Sequence, residues 1–118
     1  MIYKHLITKD QALDAIKNGD FGAGIISSKE NVIIILTQDW CPQWVNMKNW
    51  IYKMDVDMDI NIFELEYNKE SYFHSFMGFK ESVYRNFDVP YLRFYRNGEL
   101  FQTSNYINKS KVIDILKS

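Results

Sequence analysis

One cysteine, Cys41, stands in the 118 residues of this chain. A lone thiol excludes an internal disulfide, so no covalent staple holds the fold, and a reducing compartment suits it. The cysteine-rich zinc modules are excluded as well. The two histidines, His5 and His74, have no Cys or His neighbour at ligand spacing, so no metal site is expected. No apolar run approaches the roughly 20 residues that a membrane span requires, and the opening MIYKHLITKDQALDAI lacks the uninterrupted apolar core of a secretion signal. Neither sign of charge dominates, since 14 Lys and Arg face 15 Asp and Glu for a formal charge of −1. Without a basic stripe, nucleic acid is not an expected partner. These absences lead to the expectation of a cytoplasmic protein that binds neither membrane nor nucleic acid.

Apolar residues, in contrast, are plentiful at 47%, and aromatics make up 16%. That is enough to build a full hydrophobic core in one domain spanning residues 1–118. No repeat, low-complexity tract or linker divides the chain. Ile2–Leu6 reads as a short strand. Thr8-Lys9-Asp10-Gln11 has the form of a capping box, and Ala12, Leu13 and Ile16 continue a helix to Asn18-Gly19. A Gly- and Ser-bearing connection, residues 19–30, leads to Asn31–Thr37, which is too short and too β-branched for a helix and reads as a strand buried on both faces. Pro42 suits a first helical position, and Trp44, Met47, Ile51 and Met54 recur at spacings of three and four, so a helix is expected from Cys41 to about Met54. Ile60–Glu66 reads as a third strand, and residues 69–87 as a helical region with Gly78 as a point of interruption. Tyr91–Arg96 and Glu99–Thr103 flank Asn97-Gly98, a strong hairpin signal. Asn108 then caps a terminal helix with Val112, Ile113 and Leu116 along one side.

The segment Trp40-Cys41-Pro42-Gln43-Trp44 joins the buried strand to the second helix. A thiol placed there meets unpaired helix N–H groups and the positive end of the helix dipole, and both favour thiolate over thiol. Cys41 is accordingly a candidate nucleophile. The residue three further on is Trp44, so no local dithiol exists and any redox cycle must borrow a second thiol. Trp44 is either a lid over the sulfur or a core residue in its apolar stripe, whereas Trp40, at the strand-to-helix corner, is suited to exposure and partner contact. Asp39 beside the sulfur would oppose thiolate formation.

The element order β-α-β-α-β-α-β-β-α, the buried strand running into Trp40-Cys41-Pro42, the Val89-Pro90 pair and the hairpin Phe94–Glu99 together resemble the thioredoxin superfamily across nearly the whole chain. The resemblance implies an α/β thioredoxin-like fold, a central mixed sheet flanked by helices. It also implies that Pro90 is cis and lies against Cys41, with the backbone of Val89 pairing with an extended substrate segment. Two departures bear on mechanism. The dithiol C-x-x-C has become Cys41-Pro42-Gln43-Trp44, and Ile35 stands where thioredoxins proper carry a buried acid. That acid serves proton transfer at the second thiol, so the two losses belong together.

The resulting expectation is a thiol-disulfide oxidoreductase acting by a monothiol mechanism in cell redox homeostasis. Cys41 is its catalytic residue, and Trp40, Pro42, Gln43, Trp44, Val89 and Pro90 form its substrate site. It needs no metal or organic cofactor, but it needs an external thiol such as glutathione, and its partners are protein or small-molecule disulfides and thiols. The alternative is a redox-inactive thioredoxin-fold module that binds a protein or peptide in the same groove, which Trp44 and Ile35 favour. Asp55–Asp59 with Glu66 at the twelfth position suggests a calcium loop, but Ile60 occupies the position that needs Gly, so a solvated acidic loop is the expectation. Tyr72, Phe73, Phe76, Phe79, Tyr84 and Phe87 exceed what one helix face can bury, which points to self-association or to an extension of the groove.

Overall fold

Residues 1–118 are all described by the computed structural model. Five strands form one sheet: β1 (Ile2–Leu6), β2 (Asn31–Thr37), β3 (Ile60–Glu66), β4 (Tyr91–Arg96) and β5 (Glu99–Ser104), in the spatial order β1-β3-β2-β4-β5. β3 runs parallel to both β1 and β2, while β4 is antiparallel to β2 and β5 is antiparallel to β4. β2 lies at the centre with all seven residues buried, as a β-branched run of that length requires when both sheet faces are covered. Its side chains alternate between two cores.

On one face Val32, Ile34 and Leu36 pack with α1 (Lys9–Asn18), the short α2 (Ala23–Ile26) and α4 (Phe73–Ser82). On the other Ile33 and Ile35 pack with α3 (Pro42–Lys48) and α5 (Lys109–Lys117). The mixed sheet flanked by helices on both faces is the expected architecture. No helix is long and apolar enough to cross a membrane.

Local chemistry explains the ends of these elements. At α1 both halves of the capping box form, with the Gln11 amide donating to Thr8 Oγ1 and the Thr8 amide to Gln11 Oε1, and Gly19 closes the helix in the left-handed region at φ 85°. Asn97 and Gly98 sit at φ 53° and 79°, the left-handed pair that a tight two-residue hairpin demands.

Three expectations are corrected. The helix after Cys41 ends at Lys48 rather than near Met54, because the amides of Asn49 and Trp50 bond only three residues back, to Asn46 and Met47, and tighten the chain into a 3₁₀ turn at residues 51–53. The apolar stripe nevertheless survives that change of pitch, since Trp44, Met47, Ile51 and Met54 are all buried. Gly78 does not interrupt α4, which runs through it. The helix ends beyond Ser82, where Arg85 reverses the chain at φ 58°. Finally, the 19–30 connection carries α2, a single turn too short to show helical periodicity.

Candidate functional site

The corner between β2 and α3 is tied down residue by residue. The Cys41 amide donates to the Gln38 carbonyl at 3.3 Å, and the Cys41 carbonyl accepts from Val45 at 3.0 Å to begin the helix. Gln38 Oε1 accepts from the Trp40 indole N–H at 2.6 Å, and its Nε2 donates to Tyr67 Oη at 3.4 Å. Asp39 and Asn68 form a reciprocal pair: the Asp39 amide donates to Asn68 Oδ1 at 2.9 Å, and Asn68 Nδ2 donates to Asp39 Oδ1 at 2.6 Å. The Asp39 carboxylate thus spends a lone pair on Asn68. Trp40 remains 62% exposed but is held in place through Gln38.

Across from this corner lies the segment before β4. The Val89-Pro90 peptide bond is cis, and Cys41 Sγ donates to the Val89 carbonyl at 3.5 Å. This contact joins residues 48 apart in the chain. The Val89 N–H has no hydrogen-bond partner within the chain. Between the two segments runs an open groove of about 380 Å³. Trp40, Cys41, Pro42 and Gln43 form one bank, and Phe87, Asp88 and Val89 the other. Tyr67, Met77 and Glu81 also line it. Burial, opposed by the Gln38 hydrogen bond and reinforced by the charge of Glu81, pushes the Tyr67 phenol above its ordinary value.

Most of the expected site residues therefore come together, but two do not line the groove. Trp44 is wholly buried, with its indole N–H donating to Glu66 Oε2 at 2.8 Å, so it is a core residue and not part of a substrate surface. The physical reason is its helical phase, which points it with Met47 onto the sheet. Pro90 is also buried; its carbonyl accepts from Asn105 Nδ2 at 3.1 Å. Cys41 lines the groove while remaining only 4% exposed.

Glu66, the twelfth position of the calcium pattern, holds Trp44, Lys48 and Lys69. Burial opposes its ionisation, but these three donors outweigh it and keep its carboxyl below the usual Glu range. No group of three or more His, Cys, Asp or Glu side chains is placed to hold a metal ion.

Of the aromatics that the sequence offered as an extension of the groove, Phe87 lines it, whereas Asp88 was not anticipated as a site residue. The sequence signal for Asp88 is its place between Phe87 and Val89-Pro90, and the structure leaves Phe87 70% exposed. The aromatics of the α4 region are otherwise largely absorbed. Tyr72, Phe76 and Phe79 are buried against each other and against Tyr67 and Phe21, because the interior offers them a second layer that one helix face alone does not.

No family model matches the chain, and no curated protein matches it in sequence. Solved structures do match in three dimensions. A mutant thioredoxin from Halobacterium salinarum NRC-1 superposes with a TM-score of 0.68 at 14% identity, covering 97% of this chain and 88% of the other. Thioredoxin O1 from Arabidopsis thaliana in its oxidised state gives a TM-score of 0.68 at 11% identity, over 97% and 95%. A thioredoxin from Malassezia sympodialis gives 0.62 at 13% identity, over 97% and 87%. The chain has the thioredoxin fold.

Proposed function

We propose that this protein is a monothiol thiol-disulfide exchanger that docks a disulfide-bearing partner in the groove between Trp40 and Val89. The observation that supports this reading best is the placement of Cys41 Sγ against the Val89 carbonyl on the wall of an open groove, beside a backbone N–H that has no internal partner. An extended segment laid along Val89 can satisfy that N–H and displace the thiol from the carbonyl. Cys41 then gives its proton to solvent and attacks as thiolate one sulfur of the partner disulfide, forming a mixed disulfide and expelling the other sulfur as a thiolate that takes up a proton. A second, external thiolate attacks the mixed disulfide at the partner's sulfur, becomes joined to the partner, and releases Cys41 as thiolate. Glutathione or a protein cysteine is the class of thiol required. The full cycle takes place in a reducing cytoplasm, where such thiols are abundant.

A second reading, a redox-inactive peptide-binding module, is favoured by the 4% exposure of Cys41 and by the engagement of its thiol with Val89. One experiment separates the two. Native protein incubated with oxidised glutathione should gain a single glutathionyl adduct by intact-mass spectrometry and lose it on addition of dithiothreitol, while Cys41→Ser gains none. Native protein that stays unmodified while its denatured form is modified would instead identify an inert sulfur and favour the module.

A further inference from the structure

Lys80 is the one lysine taken wholly into the interior, 1% exposed, and no ionisable partner neutralises it directly. All three of its ammonium donors are used on one short stretch of chain: the Asn86 carbonyl at 3.1 Å, Asn86 Oδ1 at 3.0 Å and the Asp88 carbonyl at 2.8 Å. Asn105, on the loop between β5 and α5, grips the same stretch from the other side. Its Nδ2 lies 3.0 Å from Asn86 Oδ1, 3.1 Å from the Asp88 carbonyl and 3.1 Å from the Pro90 carbonyl. Asn86 Nδ2 returns a bond to Asn105 Oδ1 at 2.9 Å, and the Asp88 amide donates to Asn86 Oδ1 at 3.2 Å. Lys80 and Asn105 thus occupy the carbonyls on both sides of Val89, Asn86 holds the Asp88 amide, and the Val89 carbonyl is left to the Cys41 thiol.

We infer that Lys80, acting with Asn86 and Asn105, is a positioning residue that sets the 86–90 segment against Cys41 and so governs access to the thiol. The segment carries Phe87, Asp88 and Val89, the whole of one bank of the groove. It has no regular secondary structure, so nothing in a strand or helix ladder fixes its height over the sulfur. A buried ammonium is a stiff clamp for such a segment. Its charge-assisted bonds are stronger than neutral ones, and releasing them leaves the buried ammonium itself, and the Asn86 carbonyl that has no other donor, without a partner. Burial works against the ammonium and the negative charges of Glu81 and Asp88 work for it, with a net lowering of its pKa to about 8, so at neutral pH it is still the charged, three-donor form that holds the loop. The Asp88 carbonyl is bonded to Lys80, and the next carbonyl in the chain, that of Val89, accepts the Cys41 thiol. The mechanical path from Lys80 to the sulfur is therefore one residue long.

This inference deepens the proposed exchange reaction, yet its test reads only the exposure of the thiol and stands whether or not Cys41 exchanges with a partner. The rate of Cys41 alkylation by iodoacetamide is measured at neutral pH in the 118-residue chain. Lys80→Met keeps the aliphatic stem and removes the donors, and Asn105→Ala opens the clasp from the loop side. Ile25→Ala, a core truncation in α2 on the sheet face that does not carry Cys41, serves as a control for lost stability alone. Alkylation should accelerate on the order of tenfold in the Lys80 and Asn105 variants, the size expected when a charged hydrogen-bond set is released locally. In Ile25→Ala it should stay near the wild-type rate. Wild-type rates in both clasp variants, or an equal acceleration in Ile25→Ala, overturn the inference. Should Lys80→Met fail to fold, Asn105→Ala decides the question by itself.

Discussion

Lys80 and the buried tyrosines shape the response of this protein to alkali in opposite senses. For Lys80 burial lowers the folded pKa to about 8, below the ordinary lysine value of 10.5, so between these pH values the unfolded chain binds a proton that the folded chain has released. Stability contributed by this group therefore rises with pH across that window. Tyr52, Tyr84 and Tyr95 behave in the other direction. Burial raises all three phenols well above 10.0, with Glu64 adding to the rise at Tyr52 and Asp20 at Tyr84 and Tyr95, and Arg93 opposing it at the latter two. Their contribution is complete below pH 10.0 and is lost above it, when the unfolded tyrosines ionise. Urea denaturation from pH 7 upward should thus show wild-type stability rising relative to Lys80→Met between about 8 and 10.5, with both proteins weakening above 10.0. A constant difference between the two proteins across that window would show that Lys80 does not titrate as described.

Among the elements, the β4–β5 hairpin has the most local specification. Gly98 at φ 79° lies in the left-handed region, and a Cβ there would come within 2.6 Å of Ser27 Oγ. The Ser27 hydroxyl can rotate aside, so the backbone term dominates. Gly98→Ala should cost about 1–2 kcal/mol of folding stability, measured by chemical denaturation. It should leave Cys41 alkylation unaltered, because the turn lies at the far end of β4 from Val89. The α3 element makes the opposite point. Pro42 at its first turn and the apolar stripe were both readable in the sequence, but the stripe could not distinguish seven residues of α-helix from a longer helix. A 3₁₀ turn keeps side chains at spacings of three on much the same face.

Across the whole molecule, charge is carried inside by a long-range network. The Arg93 guanidinium, 7% exposed, lies 3.8 Å from the Tyr84 ring centroid and donates to the Tyr95 and Tyr91 hydroxyls at 2.8 Å and 3.0 Å. Asp20, after α1, accepts from Tyr84 at 2.6 Å and Tyr95 at 3.2 Å, and its second oxygen lies 3.5 Å from Arg93. Asp20 is thereby the anion that lets a cation sit beneath the α1–α4 layer. Asp20→Ala should cost about 1–3 kcal/mol, the penalty of leaving charged donors unpaired, with the Asp20 side chain's partial exposure keeping it from the upper end of buried-pair losses. The midpoint of urea unfolding reads this directly. An unchanged midpoint would mean that solvent replaces the carboxylate without loss.

Much of this protein was legible in the residues themselves. Strand β2 announced itself by a β-branched run, α1 by its capping box, α5 by Asn108 and the hairpin by Asn97-Gly98, because each of these is decided by interactions within a few residues along the chain. The assembly of Cys41 with Val89 was legible only through resemblance to a known fold. Tertiary structure alone decided the rest. It withdrew Trp44 from the groove and put Asp88 there. It also gathered Lys80, Asn86 and Asn105 around one loop. Burial and hydrogen-bond partnership between distant segments depend on how the layers stack, and no local pattern of residue types encodes that stacking.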